Sequence, residues 1–170
     1  DGYNLLRHCG ATWATADIAG AAPDMEATRA AAGRANDWLI SNHVKPFGDG
    51  LCVEEDGVTK LGGAGLAILA LLEVWTWRRD DASLKTARGL GRFILGQRLA
   101  SGDFHHMLGV DDGKVRDFRS DYYTGEALFG LARLAEVTGE ASWLEAALAS
   151  ARRLADEDYG VSQQSHWMLY

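Results

Sequence analysis

The chain is poor in the residues that announce most simple function classes. It has two prolines and two cysteines in 170 residues. Cys9 and Cys52 form no C-x-x-C pair and no disulfide-dense pattern, so they read as free buried thiols, with one disulfide as the alternative. The compartment stays open on this count. No H-E-x-x-H or C-x-x-C spacing is present, so no metal is expected. Gly62-Gly63-Ala64-Gly65 lacks the Lys-Ser/Thr of a phosphate loop and reads instead as close helix packing, and no G-x-S-x-G elbow occurs. No cofactor is expected. Positive charge is also scarce: 17 Lys and Arg stand against 24 Asp and Glu, a net charge of -7. That excludes a basic nucleic-acid face and attraction to an anionic membrane surface. The most apolar run, Leu61 to Trp77, is broken by Glu73 and Thr76 and is too short for a confident membrane span. No leader segment is visible, but the chain opens at Asp1 rather than Met, so localisation is unknown.

What is present is a repeated helical pair. Lys60-Leu61-Gly62 runs on to Leu71-Leu72-Glu73-Val74, and Tyr123-Thr124-Gly125 to Leu134-Ala135-Glu136-Val137. In both, 12 positions separate the glycine from the valine, and a third copy begins at His8-Cys9-Gly10. Self-similarity of this kind marks stacked helical hairpins. The first helices are expected over 4–20, 61–78 and 123–138, and the second over 24–42, 81–99 and 141–157. Thr28, Ala31, Ala32, Ala35, Trp38 and Leu39 form an apolar stripe, as do Leu84, Ala87, Gly91, Ile94 and Leu95. Leu144, Ala147, Leu148, Ala151, Leu154 and Ala155 form a third. The turns within pairs are Ala22-Pro23-Asp24, Arg79-Asp80-Asp81 and Thr138-Gly139-Glu140, and Pro23 suits a helix start. First helices are rich in Gly and Ala, as a crowded inner layer requires; second helices carry Arg88, Arg92, Arg152 and Arg153, as an outer layer would. The long connections 43–60 and 100–122 contain Asp-Gly turns between β-prone runs, so each is expected to carry a small β-hairpin. The six tryptophans are expected mostly in the core, with Trp167 at a rim.

Three stretches carry a family resemblance. Lys60-Leu61-Gly62-Gly63-Ala64-Gly65-Leu66-Ala67-Ile68-Leu69-Ala70-Leu71 is one. Ser120-Asp121-Tyr122-Tyr123-Thr124-Gly125-Glu126-Ala127-Leu128 is similar to a YYPGEAL repeat, with Thr124 in place of proline. Phe93-Ile94-Leu95-Gly96-Gln97 followed by Ser101-Gly102-Asp103-Phe104 is similar to a Q…DG-aromatic repeat. Together they resemble the α/α-toroid proteins, especially the six-hairpin glycosidase-like group. The resemblance implies an all-α fold of helical hairpin repeats, an (α/α)6 toroid or a fragment of one, with short β-hairpins in the long loops. A closed ring takes about six hairpins, and three are legible over residues 1–170, which are read as one partial toroid domain. Ser165-His166-Trp167-Met168-Leu169-Tyr170 looks like the entry to a fourth inner helix. The other reading is a half-ring that a partner completes, with a homodimer if the chain is complete.

In such toroids the cleft lies at the N-terminal ends of the inner helices, where orphan N–H groups and a partial positive charge sit. Arg7, His8, Lys60, Asp121, Tyr122, Tyr123, Glu126, His166 and Trp167 fall there. Carboxylates, histidines and aromatic faces suit a glycan or small-molecule substrate. Glycoside hydrolysis uses two carboxyl groups, about 5–5.5 or about 6.5–9.5 Å apart. Glu126 is the first candidate, with Asp121 second; Asp103 is a further option, and the run Glu54-Glu55-Asp56 reads as a solvated hairpin. His8, with His105, His106 and His166, offers a general acid or base for a lyase or epimerase. His105 and His106 fall in a hairpin, where neighbours face opposite ways. Tyr122, Tyr123, Arg7, Lys60, His166 and Trp167 are candidates for binding substrate. The reading is a carbohydrate-active, glycoside hydrolase-like protein, or a lyase or epimerase. The alternative is a non-catalytic helical-repeat module that binds a glycan or protein.

Overall fold

The computed structural model describes residues 2–22 and 24–169. Three helical hairpins follow one another. α1 (Leu5–Ala21) pairs with α2 (Glu26–His43), α3 (Leu61–Arg78) with α4 (Asp81–Gly96), and α5 (Tyr123–Thr138) with α6 (Ala141–Ala155). A short 3-10 turn, His166–Leu169, follows α6. The expected helices are all present, within a few residues at their ends. Pro23, read as a helix-start signal, lies outside the described residues, as do Asp1 and Tyr170.

Local chemistry explains the helix ends. Asn4 caps α1 by accepting from the Arg7 N–H, and Asp80 caps α4 by accepting from the Ser83 N–H at 2.8 Å. α5 closes on Gly139, whose φ of 71° is the left-handed conformation that glycine adopts without penalty. No helix among the described residues is long and apolar enough to cross a membrane.

The inner layer is α1, α3 and α5, with α3 between the other two. α3 is buried on nearly every side from Leu61 to Leu72, which is why its sequence shows no polar face. Its glycines admit its neighbours' backbones. A Cβ added at Gly65 would lie 2.6 Å from the Glu126 carbonyl carbon and 2.9 Å from the Ala127 nitrogen. From the other side, a Cβ at Gly130 would lie 3.0 Å from the Gly65 oxygen. α3 and α5 therefore meet backbone to backbone. α4 buries Ala87, Leu90, Phe93 and Ile94 beneath the outer layer.

The long loops carry the expected short β-strands and join them. Residues 44–60 form three strands, β1 (Val44–Phe47), β2 (Gly50–Glu55) and β3 (Val58–Lys60). The second loop contributes one strand, β4 (Met107–Gly109), with a bridge from Leu108 to Val115. β4 pairs with β3, so the two expected hairpins merge into one antiparallel sheet of order β1-β2-β3-β4. A lone two-stranded ribbon is marginal in water, and joining the edges satisfies backbone groups that two separate ribbons would leave open. The predicted Asp56-Gly57 turn is present, with positive φ at both residues. His105 and His106 precede β4 rather than lying in a hairpin.

Two expectations about the core are corrected. Leu144 and Leu148 of the α6 stripe are 43% and 41% exposed, and they line an apolar groove with Phe129 and Trp167, because no further element of the described residues covers that side of α5 and α6. Of the tryptophans only Trp143 is buried, and Trp38 is exposed. Cys9 and Cys52 are buried and free.

The glycines give a direct test. Gly10 lies in α1 with nothing near a prospective Cβ, whereas Gly65 has none of that space. Gly10→Ala is expected to raise stability by about 0.5–1 kcal/mol, and Gly65→Ala to lower it by at least about 2 kcal/mol. Thermal and urea unfolding of the two variants checks both signs.

Candidate active site

The N-terminal ends of α1, α3 and α5 are held together by the sheet and the loop that follows it. The Leu5 N–H of α1 donates to Glu55 Oε1 at 2.7 Å. The Leu61 N–H of α3 donates to the His106 carbonyl at 2.9 Å. At the opposite end of the layer Glu73 of α3 lies 3.4 Å from Arg133 of α5.

Glu126 sits in the first turn of α5, 6% exposed, facing α3. A Cβ at Gly62 would collide with its Oε2 and with the Tyr123 ring. Oε2 is buried and has no hydrogen-bond partner among the described residues. Burial disfavours the charged form, so the Glu126 carboxyl is pushed up to about 7. Tyr123 lies beside it, its hydroxyl pushed up to about 12 by burial and then by Glu126 and Glu55. Lys60 stands at the cap of α3, with Nζ 3.4 Å from Glu55 Oε2. Glu126, Tyr123 and Lys60 thus share one neighbourhood, with Glu55, Tyr3 and Cys9 around them. The Cys9 thiol is pushed up to about 12 by burial, with Glu55 and Glu126 adding to it.

The other candidates are placed differently. Tyr122 and His166 are exposed on the far side of the α5 start, their ring centroids 6.0 Å apart. Trp167 packs against Trp13 and Phe129 at centroid distances of 5.9 and 6.3 Å. A Cβ at Gly125 would lie 2.5 Å from the Trp167 Cβ, so the 3-10 turn rests on Gly125 as the start of α5 rests on Gly62. The repeat is therefore structural as well as sequential. Asp121 is exposed in the turn before α5, and Arg7 is exposed on α1. His8 turns toward α2: its Nε2 bonds to the Ala35 carbonyl at 3.0 Å, and its ring packs 5.0 Å from Trp38 and 5.8 Å from Tyr3.

Two arrangements are not visible in the sequence. Glu55 reads in the sequence with Glu54 and Asp56 as solvated, but strand alternation separates Glu55 from Glu54. Glu54 accepts from the Gly57 N–H at 2.6 Å and closes its own turn, while Glu55 turns toward the helix ends. The second is a buried network at the start of α5. Thr124 Oγ1 donates to Asp103 Oδ1 at 2.6 Å and accepts from the Tyr159 hydroxyl at 3.0 Å. The Ser120 N–H donates to His106 Nδ1, which puts the ring proton on Nε2, 3.1 Å from the same Thr124 oxygen. Burial raises the Asp103 carboxyl, but His106, Thr124 and Arg119 outweigh it and hold Asp103 well below the usual carboxylate range. Thr124 is the residue that departs from the YYPGEAL pattern, and a proline there could make none of these bonds. Among the described residues no cluster of three His, Cys, Asp or Glu side chains could hold a metal ion.

This architecture is the α/α-toroid fold. The cellobiose 2-epimerase of Spirochaeta thermophila superposes with a TM-score of 0.76 at 18% identity, over 88% of this chain and 42% of that one. An inactive variant of an α-1,6-mannanase of glycoside hydrolase family 76 from a Salegentibacter species, solved with α-1,6-mannotriose, gives 0.76 at 17% identity over 91% and 47%. A D-mannose isomerase gives 0.74 at 14% identity over 90% and 40%. The chain thus spans less than half the length of each of these structures. No protein-family model and no curated protein matches its sequence.

The buried carboxyl makes stability depend on pH. Glu126 binds its proton more tightly in the folded chain, so its contribution is full below the ordinary carboxylate range and is lost as pH rises through about 7. Above that the penalty approaches about 3 kcal/mol. Glu126→Gln cannot ionise, so its melting temperature relative to wild type is expected to rise between pH 5 and pH 8. A difference independent of pH would contradict the raised value.

Proposed function

We propose that this chain forms part of the glycan cleft of a glycoside hydrolase-like α/α-toroid enzyme, with Glu126 as its proton-transferring carboxyl. The observation that carries the reading is the buried Glu126 carboxyl at the first turn of an inner helix, its Oε2 without a partner among the described residues, pushed up to about 7. A carboxyl titrating there is a proton donor at neutral pH and a competent base once the proton has left. In hydrolysis the proton passes from the Glu126 carboxyl to the glycosidic oxygen as its bond to the anomeric carbon breaks, and a water then bonds to that carbon, its proton going to a carboxylate of the site. Tyr122 and His166 offer exposed ring faces beside this helix start, suited to the apolar side of a pyranose. Asp121, Arg7 and Lys60 supply polar groups at the same end of the layer for sugar hydroxyls. The structural neighbours named above are a mannanase, a cellobiose epimerase and a mannose isomerase, which supports sugars as the substrate class.

An epimerase would use the same carboxyl to move a proton at carbon, and solvent deuterium appearing in recovered sugar identifies that chemistry. The assay panel is α-1,6-mannooligosaccharides, cellobiose and mannose. Turnover by wild type is expected, with kcat/KM falling on the alkaline side around pH 7 as the acid is lost. Glu126→Gln is expected to lower kcat by about 10³-fold, with its melting temperature at pH 5 close to wild type. An unchanged rate in the variant removes Glu126 from the mechanism, and no turnover on any sugar removes the glycan reading.

A further inference from the structure

Glu55 occupies a place that a turn residue has no need of. Its side chain is 13% exposed, although it ends β2 next to an exposed Asp-Gly turn. Oε1 takes the first N–H of α1, and Oε2 lies 3.4 Å from Lys60 Nζ at the cap of α3. These are partners for a carboxylate anion, and they tie the start of α1 to the start of α3. Glu126 lies between α3 and α5, packed over Gly62, two residues beyond Lys60, with its Oε2 unpartnered among the described residues. One carboxyl is thus fixed by charged and helix-end partners, and the other is enclosed, its Oε2 without a partner among the described residues. Both act on the same two groups, the Tyr123 hydroxyl and the Cys9 thiol, which places them in one electrostatic neighbourhood. Glu55 also acts on the Tyr3 hydroxyl, and the Tyr3 ring packs 5.8 Å from His8 and 5.4 Å from His43.

We propose that Glu55 is the second carboxylate of the site, the fixed anion that faces positive charge on a sugar ring while Glu126 carries the proton. The inference rests on the glycan reading above. A merely structural Glu55 would serve as the acceptor for the Leu5 N–H, and glutamine keeps that acceptor while removing the charge. The charge therefore separates the two roles. A site built this way discriminates between a cationic ring and a neutral ring of the same shape.

Isothermal titration calorimetry at pH 7 tests it, with the cationic iminosugar 1-deoxymannojirimycin and the neutral sugar mannose as probes. Wild type is compared with Glu55→Gln and with Glu54→Gln, which removes the same charge from the outward face of the strand. Glu55→Gln is expected to weaken the iminosugar by about tenfold or more and to leave mannose unchanged, and Glu54→Gln to change neither. If wild type binds the probes and Glu55→Gln weakens neither, or both equally, the assignment is overturned while the glycan reading stands. If wild type binds neither probe, the glycan reading of the site fails and the assignment of Glu55 falls with it.

Discussion

Everything at the candidate site depends on the backbone contact between α3 and α5. Gly65 and Gly130 let the two helices touch without intervening side chains. Helices so close leave no channel of water between them, and any side chain directed into the seam loses its hydration. Glu126 lies one turn before Gly130 and is directed into it. The raised proton affinity of its carboxyl follows from glycines on a neighbouring helix, not from any charge beside it, since burial is the one cause of the shift. The same packing leaves Tyr123 enclosed against Gly62.

The sheet is the second constraint. An inner layer of helices that start at one end gathers unsatisfied N–H groups there. The loops answer with acceptors: Glu55 for the start of α1 and the His106 carbonyl for the start of α3. At the start of α5 the loop supplies Asp103, reached through the hydroxyl of Thr124. Merging the loop strands into one sheet holds these acceptors in a fixed relation, so the geometry of the three helix starts is set by residues from two distant loops. The network of Asp103, Thr124, His106 and Tyr159 is buried at the base of the helix that carries Glu126. It binds the last part of the chain, through Tyr159, to the same turn.

The helices were legible because their cause is local. The spacing of small and apolar residues marks α1 through α6, and the Asp56-Gly57 turn declares itself by residue type alone. Glu126 was legible too, since the repeat put it in the first turn of an inner helix. Strand alternation could have separated Glu54 from Glu55 had β2 been assigned with a register. His8 carried no such signal: its position on α1 suits either face, and only the carbonyl of Ala35 on α2 shows which one it takes. Leu144 and Leu148 have the spacing of core residues, yet burial needs a covering partner that periodicity does not reveal.

By itself the sequence determined the three hairpins, their inner and outer layers and the end of the layer where polar groups gather. These follow from backbone propensity and from periods of three or four residues, which act within a turn or two of helix. Only the tertiary structure decided that two loops share one sheet, that Glu55 faces inward and that Glu126 Oε2 lies without a partner among the described residues. Those outcomes join residues far apart in the chain, as when Leu5 meets Glu55 across 50 positions and Asp103 meets Thr124 across 21. Hydration and hydrogen bonding respond to what stands opposite in space, and that is settled when the helices pack.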